Sequence, residues 1–247
     1  MSYLTFLVVF LLPPILALSL TQPRPLAGVG GLRARVTLPL MCLIAFLYTT
    51  PWDNYLVYKG VWDYGLDRVL ATIGYVPLEE YLFFLLQPVL CGLFLYQVLA
   101  RWKLSVPKEM TPKAQWIGAS LYFFISVLGL WLLVSGEPRY LYLGLILAWA
   151  CPVLLGMWFY AGAFIWRYRK PCLIALVIPT LYLWIADALA IRWGIWNIAD
   201  RYSLNFDPLG LPVEEAAFFL MTNLLVVQGS MLFLFGDRIA ETRQGSK

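Results

Sequence analysis

Seven runs of apolar residues, most of them about twenty long, limit what this chain can fold into. Roughly 20 helical residues cross the ~30 Å hydrocarbon core of a bilayer and satisfy their own backbone hydrogen bonds as they do so. The runs are Tyr3 to Leu20, Val36 to Thr50, Leu78 to Ala100, Gln115 to Val134, Tyr140 to Gly162, Cys172 to Ile191 and Val213 to Phe235, the second being the shortest. Of the 247 residues 62% are apolar and 13% charged, whereas a soluble domain carries about 25% charged residues. The expected fold class is therefore an all-α, polytopic integral membrane protein with about seven transmembrane helices. The first run has no basic segment ahead of it and is followed by Arg24, Arg33 and Arg35, so it reads as a retained anchor, not a cleaved signal. Pro13, Pro14, Pro152 and Pro179 fall inside runs and predict kinks.

The net charge of +4 is distributed as topology requires, and it needs no nucleic-acid partner. Arg24, Arg33, Arg35, Arg101, Lys103, Lys108, Lys113, Arg167, Arg169, Lys170, Arg238, Arg243 and Lys247 lie after the odd-numbered runs or in the tail, 13 of the 18 basic residues. Lys59, Arg68, Arg139, Arg192 and Arg201 lie on the other side. The positive-inside rule then predicts a multi-pass protein of the cell membrane with its N-terminus outside and its C-terminus cytoplasmic. Cys42, Cys91, Cys151 and Cys172 sit in or beside apolar runs without metal-type spacing and read as packing residues.

The chain repeats itself. At a shift of 134, Leu47, Tyr48, Asp53, Gly60 and Trp62 fall on Leu181, Tyr182, Asp187, Gly194 and Trp196. At 135, Pro77, Glu79, Glu80, Phe83, Phe84 and Leu85 fall on Pro212, Glu214, Glu215, Phe218, Phe219 and Leu220. The expected organisation is a first repeat over 1–100 (helices one to three), a connecting fourth helix over 101–137, a second repeat over 138–236 (helices five to seven) and a cytoplasmic tail over 237–247. Equivalent helices are four crossings apart, so the copies are parallel and their matching loops share one side, the outer one by charge.

What repeats is polar or aromatic: an Asp near the end of the second helix, a Gly-x-Trp loop, and Pro-x-Glu-Glu-x-x-Phe-Phe opening the third. Pro suits a first helical position and Glu a first turn, so a single copy has a plain structural explanation. Two copies, each with an upstream Asp, point to function, because ionisable groups within a membrane are costly. Helical spacing puts Glu80, Phe84 and Gln87 on one face, likewise Glu215, Phe219 and Thr222, and sets Glu79 above Phe83 and Glu214 above Phe218. Asn223 adds a polar group at similar depth, and Asn54 follows Asp53. A carboxyl group partly removed from water beside another carboxyl keeps its proton to higher pH, and aromatic faces favour positive charge. Such a site suits protonation of an alkene, rearrangement of the carbocation and loss of a different proton.

The chain has no His, which excludes His-ligated di-iron and haem sites, and no metal is expected. Gly28-Val29-Gly30-Gly31 is a lone glycine cluster without a preceding strand and carries no phosphate-cradle signal. The last helix has no Lys, which excludes a retinal Schiff base.

On Pro77-Leu78-Glu79-Glu80-Tyr81-Leu82-Phe83-Phe84, Pro212-Val213-Glu214-Glu215-Ala216-Ala217-Phe218-Phe219 and the Asp53 and Trp62 region with its partner, the sequence resembles the lycopene cyclases of the heterodimeric type, in a fused single-chain form. The resemblance spans both repeats. It implies ring closure at the ends of lycopene, through gamma-carotene to beta-carotene, without net redox change and without a cofactor. The implied partners are a carotenoid substrate within the bilayer, and carotenoid-pathway enzymes or a second copy of the chain. A phytoene synthase domain such as the fungal relatives carry is not expected after Lys247. The implied catalytic set is Glu79, Glu80, Glu214 and Glu215, one as acid and another as base, tuned by Asp53 and Asp187. Trp62, Trp196, Phe83, Phe84, Phe218 and Phe219, with Asn54, Gln87 and Asn223, are the implied substrate-binding set. The second copy has Ile185-Ala186-Asp187-Ala188 where the first has Pro51-Trp52-Asp53-Asn54, which separates the two Asp roles. The alternatives are a related end-group enzyme, making epsilon rings or acting on modified carotenoids, and a proton- or cation-coupled transporter.

Overall fold

A computed structural model describes residues 1–29, 31–65, 67–102 and 112–244; Gly30, Lys103, Lys108 and Lys247 lie outside the described residues. Seven helices are long and apolar enough to cross a bilayer. They are α1 (Tyr3–Leu20), α2 (Leu32–Lys59), α3 (Leu78–Arg101), α4 (Pro112–Val134), α5 (Leu141–Arg167), α6 (Arg169–Arg192) and α7 (Val213–Leu234), followed by a short α8 (Gly236–Gln244). The chain is an all-α polytopic membrane protein. Large apolar side chains such as Ile117, Phe124 and Trp131 on α4 stay exposed, as a lipid-facing surface requires. α4 packs on α5, where Gly129 and Gly144 bring the two backbones close: a Cβ on Gly129 would sit 2.6 Å from the Ala148 nitrogen.

The second helix, expected to be the shortest, runs for 28 residues. It continues past the apolar run at both ends. Arg33 and Arg35 extend one end, and at the other the helix passes through Pro51 to bury Trp52, Asp53 and Leu56 against its neighbours. In α1 the turn Leu7–Leu11 widens to a π-helix just ahead of Pro13 and Pro14, the local adjustment a membrane helix makes around proline. The innermost helices are α3 and α7, each 67% buried over its most apolar stretch, against 22% for α2. Both begin with Pro-x-Glu-Glu.

The Gly-x-Trp loops have a local cause. Gly60 (φ +71°) and Gly194 (φ +62°) end α2 and α6 in the left-handed conformation that glycine adopts without strain. Each closes its helix in the same way: the Gly60 and Val61 amides donate to the Val57 and Leu56 carbonyls, and those of Gly194 and Ile195 to Ile191 and Ala190. Val61 and Ile195 are then fully buried, and each Trp begins a strand, β1 (Trp62–Tyr64) and β4 (Trp196–Ile198); β2 (Thr72–Ile73) and β3 (Val76–Pro77) form a small hairpin between them. β1 and β4 pair antiparallel, with Asp63 facing Asn197, Trp62 facing Ile198 and Tyr64 facing Trp196. Positions that match at the 134 shift thus meet at the middle of the ribbon, the register produced by a two-fold axis between the halves.

Candidate active site

Every acidic residue of the two motifs is buried: Glu79 and Glu214 are 0% exposed, Glu80 7% and Glu215 3%, and the upstream Asp53 and Asp187 0% and 2%. Among the described residues the ion pair found joins Arg33 to Asp237 at the end of the chain, and none of these six carboxyls has a Lys or Arg partner.

The two glutamates of each motif do different things. Adjacent positions on a helix point about 100° apart, so one turns to the preceding loop and the other to the interior. Glu79 Oε1 accepts the Leu70 amide (2.8 Å), and Glu214 accepts the Leu204 amide (2.7 Å) on Oε1 and the Ser203 hydroxyl (3.0 Å) on Oε2. These bonds tie the loops before α3 and α7 to the helix starts. Glu80 and Glu215 instead share the wall of one small cavity with Asp187, Phe83, Phe218 and Phe219. Its volume, about 30 Å³, is of the order needed for a single water.

In that cavity each glutamate has one oxygen held by two aromatic donors. The Tyr3 hydroxyl (2.5 Å) and the Tyr64 hydroxyl (3.3 Å) donate to Glu80 Oε2. The Tyr142 hydroxyl (2.7 Å) and the Trp62 indole N–H (3.1 Å) donate to Glu215 Oε1. Loss of water contact, and then the Glu80 carboxyl beside it, push the Tyr64 phenol in the outer loop well above its ordinary range, so it stays a neutral donor. Trp196, the counterpart of Trp62, donates to Asp187 Oδ1 (3.0 Å) in its own half. Asp187 Oδ2 and both oxygens of Asp53 have no partner.

The Phe-Phe pairs split as well. Phe83 meets Phe219 edge-on (5.9 Å) in the cavity, while Phe84 lines an apolar groove to one side together with Phe218. A line of stacked rings leads inward from the surface: Tyr48 on Trp149 (4.9 Å), Trp149 on Trp52 (4.9 Å) and Trp52 on Phe218 (5.7 Å, 3° between planes). Gln87 and Asn223 do not enter the carboxyl cavity. Gln87 donates to the Thr222 hydroxyl (2.9 Å) and to Asn223 Oδ1 (2.7 Å), and Asn223 donates to Thr180 (2.9 Å), clasping α3, α6 and α7 together. Asn54 faces the hairpin, accepting the Tyr75 amide (3.1 Å) and donating to the Tyr81 hydroxyl (3.0 Å).

Over 233 residues the chain is 39% identical to a protein named lycopene beta-cyclase from Halobacterium salinarum, an alignment covering 94% of this chain and 95% of that one. The chain belongs to the lycopene beta-cyclase family. It is also 37% identical over 85% of its length to a bifunctional lycopene cyclase/phytoene synthase of Sporisorium reilianum, and 36% identical over 79% to one of Aspergillus niger; it spans about a third of each of these, 32% and 34%. No protein-family model and no solved structure matches the chain.

The motifs that carry the resemblance to the lycopene beta-cyclase family are those that build the carboxyl cavity, but two of its donors are not legible in them. Tyr3 and Tyr142 sit near the starts of the first and fifth helices, where a lone tyrosine is ordinary. A further shift would have found them: at 139, Tyr3-Leu4 and Pro13 fall on Tyr142-Leu143 and Pro152. The same shift pairs the Tyr48 hydroxyl on the Trp149 carbonyl (3.0 Å) with the Tyr182 hydroxyl on the Phe10 carbonyl (2.6 Å).

Proposed function

We propose that this chain closes beta-ionone rings on the ends of lycopene, through gamma-carotene to beta-carotene, with Glu80 and Glu215 exchanging the protons. Of everything in the site, the shared cavity carries this reading most: two glutamates from matching positions face one aromatic chamber, each with one oxygen fixed by aromatic donors.

The proton of one carboxyl adds to the terminal double bond of the substrate. The cation so formed is attacked by the double bond that closes the six-membered ring, and the ring cation loses a proton to the second carboxyl. One C–H bond forms, one C–C bond forms and one C–H bond breaks, so no oxidant or reductant is consumed. The faces of Phe83, Phe218 and Phe219 stabilise the passing positive charge, each face worth about 0.5–2 kcal/mol. The tyrosine and tryptophan donors fix each carboxyl rotamer before the substrate arrives. Asp187, on the cavity wall, and Asp53, beside it in the second helix, tune the two acids. Glu79, Glu214 and Asn54 are assigned to holding the loops, and Gln87 and Asn223 to the helix clasp.

We further propose two repeats related by a two-fold axis along the membrane normal, over 1–100 and 138–236. The β1–β4 register, the matching glycine caps and the matching tyrosine bonds support it. The charge distribution supports a cell-membrane protein with an outer N-terminus and a cytoplasmic C-terminus, which sets the carboxyl cavity towards the outer leaflet. Expression in a lycopene-accumulating bacterium with pigment chromatography tests the activity. Beta rings are the expected product; epsilon rings would move the reading to a related end-group enzyme, and unchanged pigment would overturn it in favour of a transporter.

A further inference from the structure

A second cavity, of about 280 Å³, lies between α2, α3, α5 and α7. Ile44, Tyr48 and Phe233 at one end are 42%, 40% and 44% exposed on the lipid-facing surface, while Phe84 and Phe218 at the other are each 3% exposed. Phe218 is a wall of both this groove and the carboxyl cavity, and it stands three residues, less than one helical turn, beyond Glu215. The groove is therefore a path from the bilayer to the acids, and its lining is almost wholly carbon and sulfur.

Gly229 keeps it open. A Cβ there would approach Met41 Sδ at 3.0 Å and Met157 Cε at 3.5 Å, so anything larger than Ala projects into the groove. At the 135 shift the position matching Gly229 is Phe94, so the first half puts a ring where the second leaves space. The feature belongs to one half alone, unlike the caps and the loop-holding glutamates.

We propose that this groove binds the extended polyene arm of the substrate, which enters sideways from the bilayer between α2 and α7 and lays its end group against Phe218. The proposal rests on the cyclase reading and deepens it. A conjugated hydrocarbon chain is the occupant because the groove offers stacked aromatic faces along one wall, opens to lipid and ends beside the two proton-transferring groups. The carboxyl cavity holds about one water, so rotation of Phe218 out of the shared wall joins the two spaces and admits the end group. One groove serves both acids, so the two ends of a substrate are processed at the same place in turn.

The test fills the groove and reads both chemistry and binding. Gly229→Phe is expected to lower ring formation by about tenfold or more, the cost of overfilling a packed space, with Gly229→Ala within about threefold. Gly156→Phe, on exposed α5 where an added Cβ meets nothing within 4 Å, controls for a new phenylalanine in the membrane and is expected to behave as wild type. Val153→Phe fills the same groove from α5 and replaces Gly229→Phe if the latter does not give a monodisperse protein in detergent. Binding is read separately as lycopene co-eluting with the acid-dead Glu80→Gln/Glu215→Gln protein, and Gly229→Phe in that background is expected to cut it by about tenfold. Wild-type ring formation by both groove-filling variants overturns the proposal. So does loss of rings with unchanged pigment binding, which would leave the groove to a lipid acyl chain. A wild-type chain that makes no rings, yet binds lycopene in a manner blocked by Gly229→Phe, would sink the cyclase reading and keep the groove.

Discussion

Glu80 in the first half and Glu215 in the second occupy matching positions on matching helices, yet they are held differently. Glu80 takes both of its donors, Tyr3 and Tyr64, from its own half. Glu215 takes Tyr142 from its own half and Trp62 from the other, because the antiparallel ribbon carries Trp62 across the two-fold. Trp196, which symmetry would send to Glu80, stays with Asp187. The frame is common to the halves, in the glycine caps, the loop-holding Glu79 and Glu214 and the tyrosines on the third and seventh helices' acids; the second donors and the lateral groove are not. A frame that repeats and a donor set that does not is how one chamber acquires two unlike carboxyls, which a reaction needing one acid and one base requires.

The largest effect is expected from the carboxyls themselves. Glu80→Gln and Glu215→Gln should each cut ring formation about a hundredfold or more, measured as the ratio of cyclised to linear pigment in a lycopene-accumulating host. Wild-type conversion by either variant would break the comparison by making that half a bystander. Tyr3→Phe and Tyr142→Phe remove the shared donor from each half and should each cost on the order of tenfold, from a hydrogen bond worth about 1.5 kcal/mol or more. Equal losses would show that the shared donors act alike, and Trp62→Phe then reads the unshared one.

The loop-holding pair provides the contrast. Glu79→Gln and Glu214→Gln keep an acceptor oxygen for the loop amides, so activity should stay within about threefold; Glu79→Ala and Glu214→Ala leave those amides unpaired and should cost about 1–3 kcal/mol of stability, seen as a lowered thermal midpoint in detergent. Loss of rings in the Gln variants at unchanged stability would place these residues in the chemistry. The smallest effect is kinetic. With one shared chamber, a one-ring product should accumulate transiently in a time course, and its absence would mean that both ends react without release.

Much of this was written in the sequence, and the physical reason differs for each part. The helices show because hydrocarbon tolerates only long apolar helical runs. The second was read short because Arg33 and Arg35 at one end, and Pro51, Trp52 and Asp53 at the other, interrupt the hydropathy without interrupting the helix. The acids were visible as a doubled motif. Their division into loop-holding and cavity-facing members was not, because neighbouring positions on a helix diverge and only the partners, Leu70 and Leu204 against Tyr3 and Tyr142, reveal which is which. The expected alignment of Glu80 with Phe84 also gave way: Phe83, three residues on, joins Glu80 in the cavity, and Phe84 turns to the groove. The crossing of Trp62 to Glu215 depends on strand pairing between the halves, which three residues of strand do not announce.

Ring closure in heavy water examines the central claim most directly. If solvent-exchangeable carboxyls at Glu80 and Glu215 deliver the proton, unlabelled lycopene converted by the protein in deuterated buffer should yield product carrying one deuterium for each ring closed, by mass spectrometry. Rings formed with no deuterium at all would contradict it.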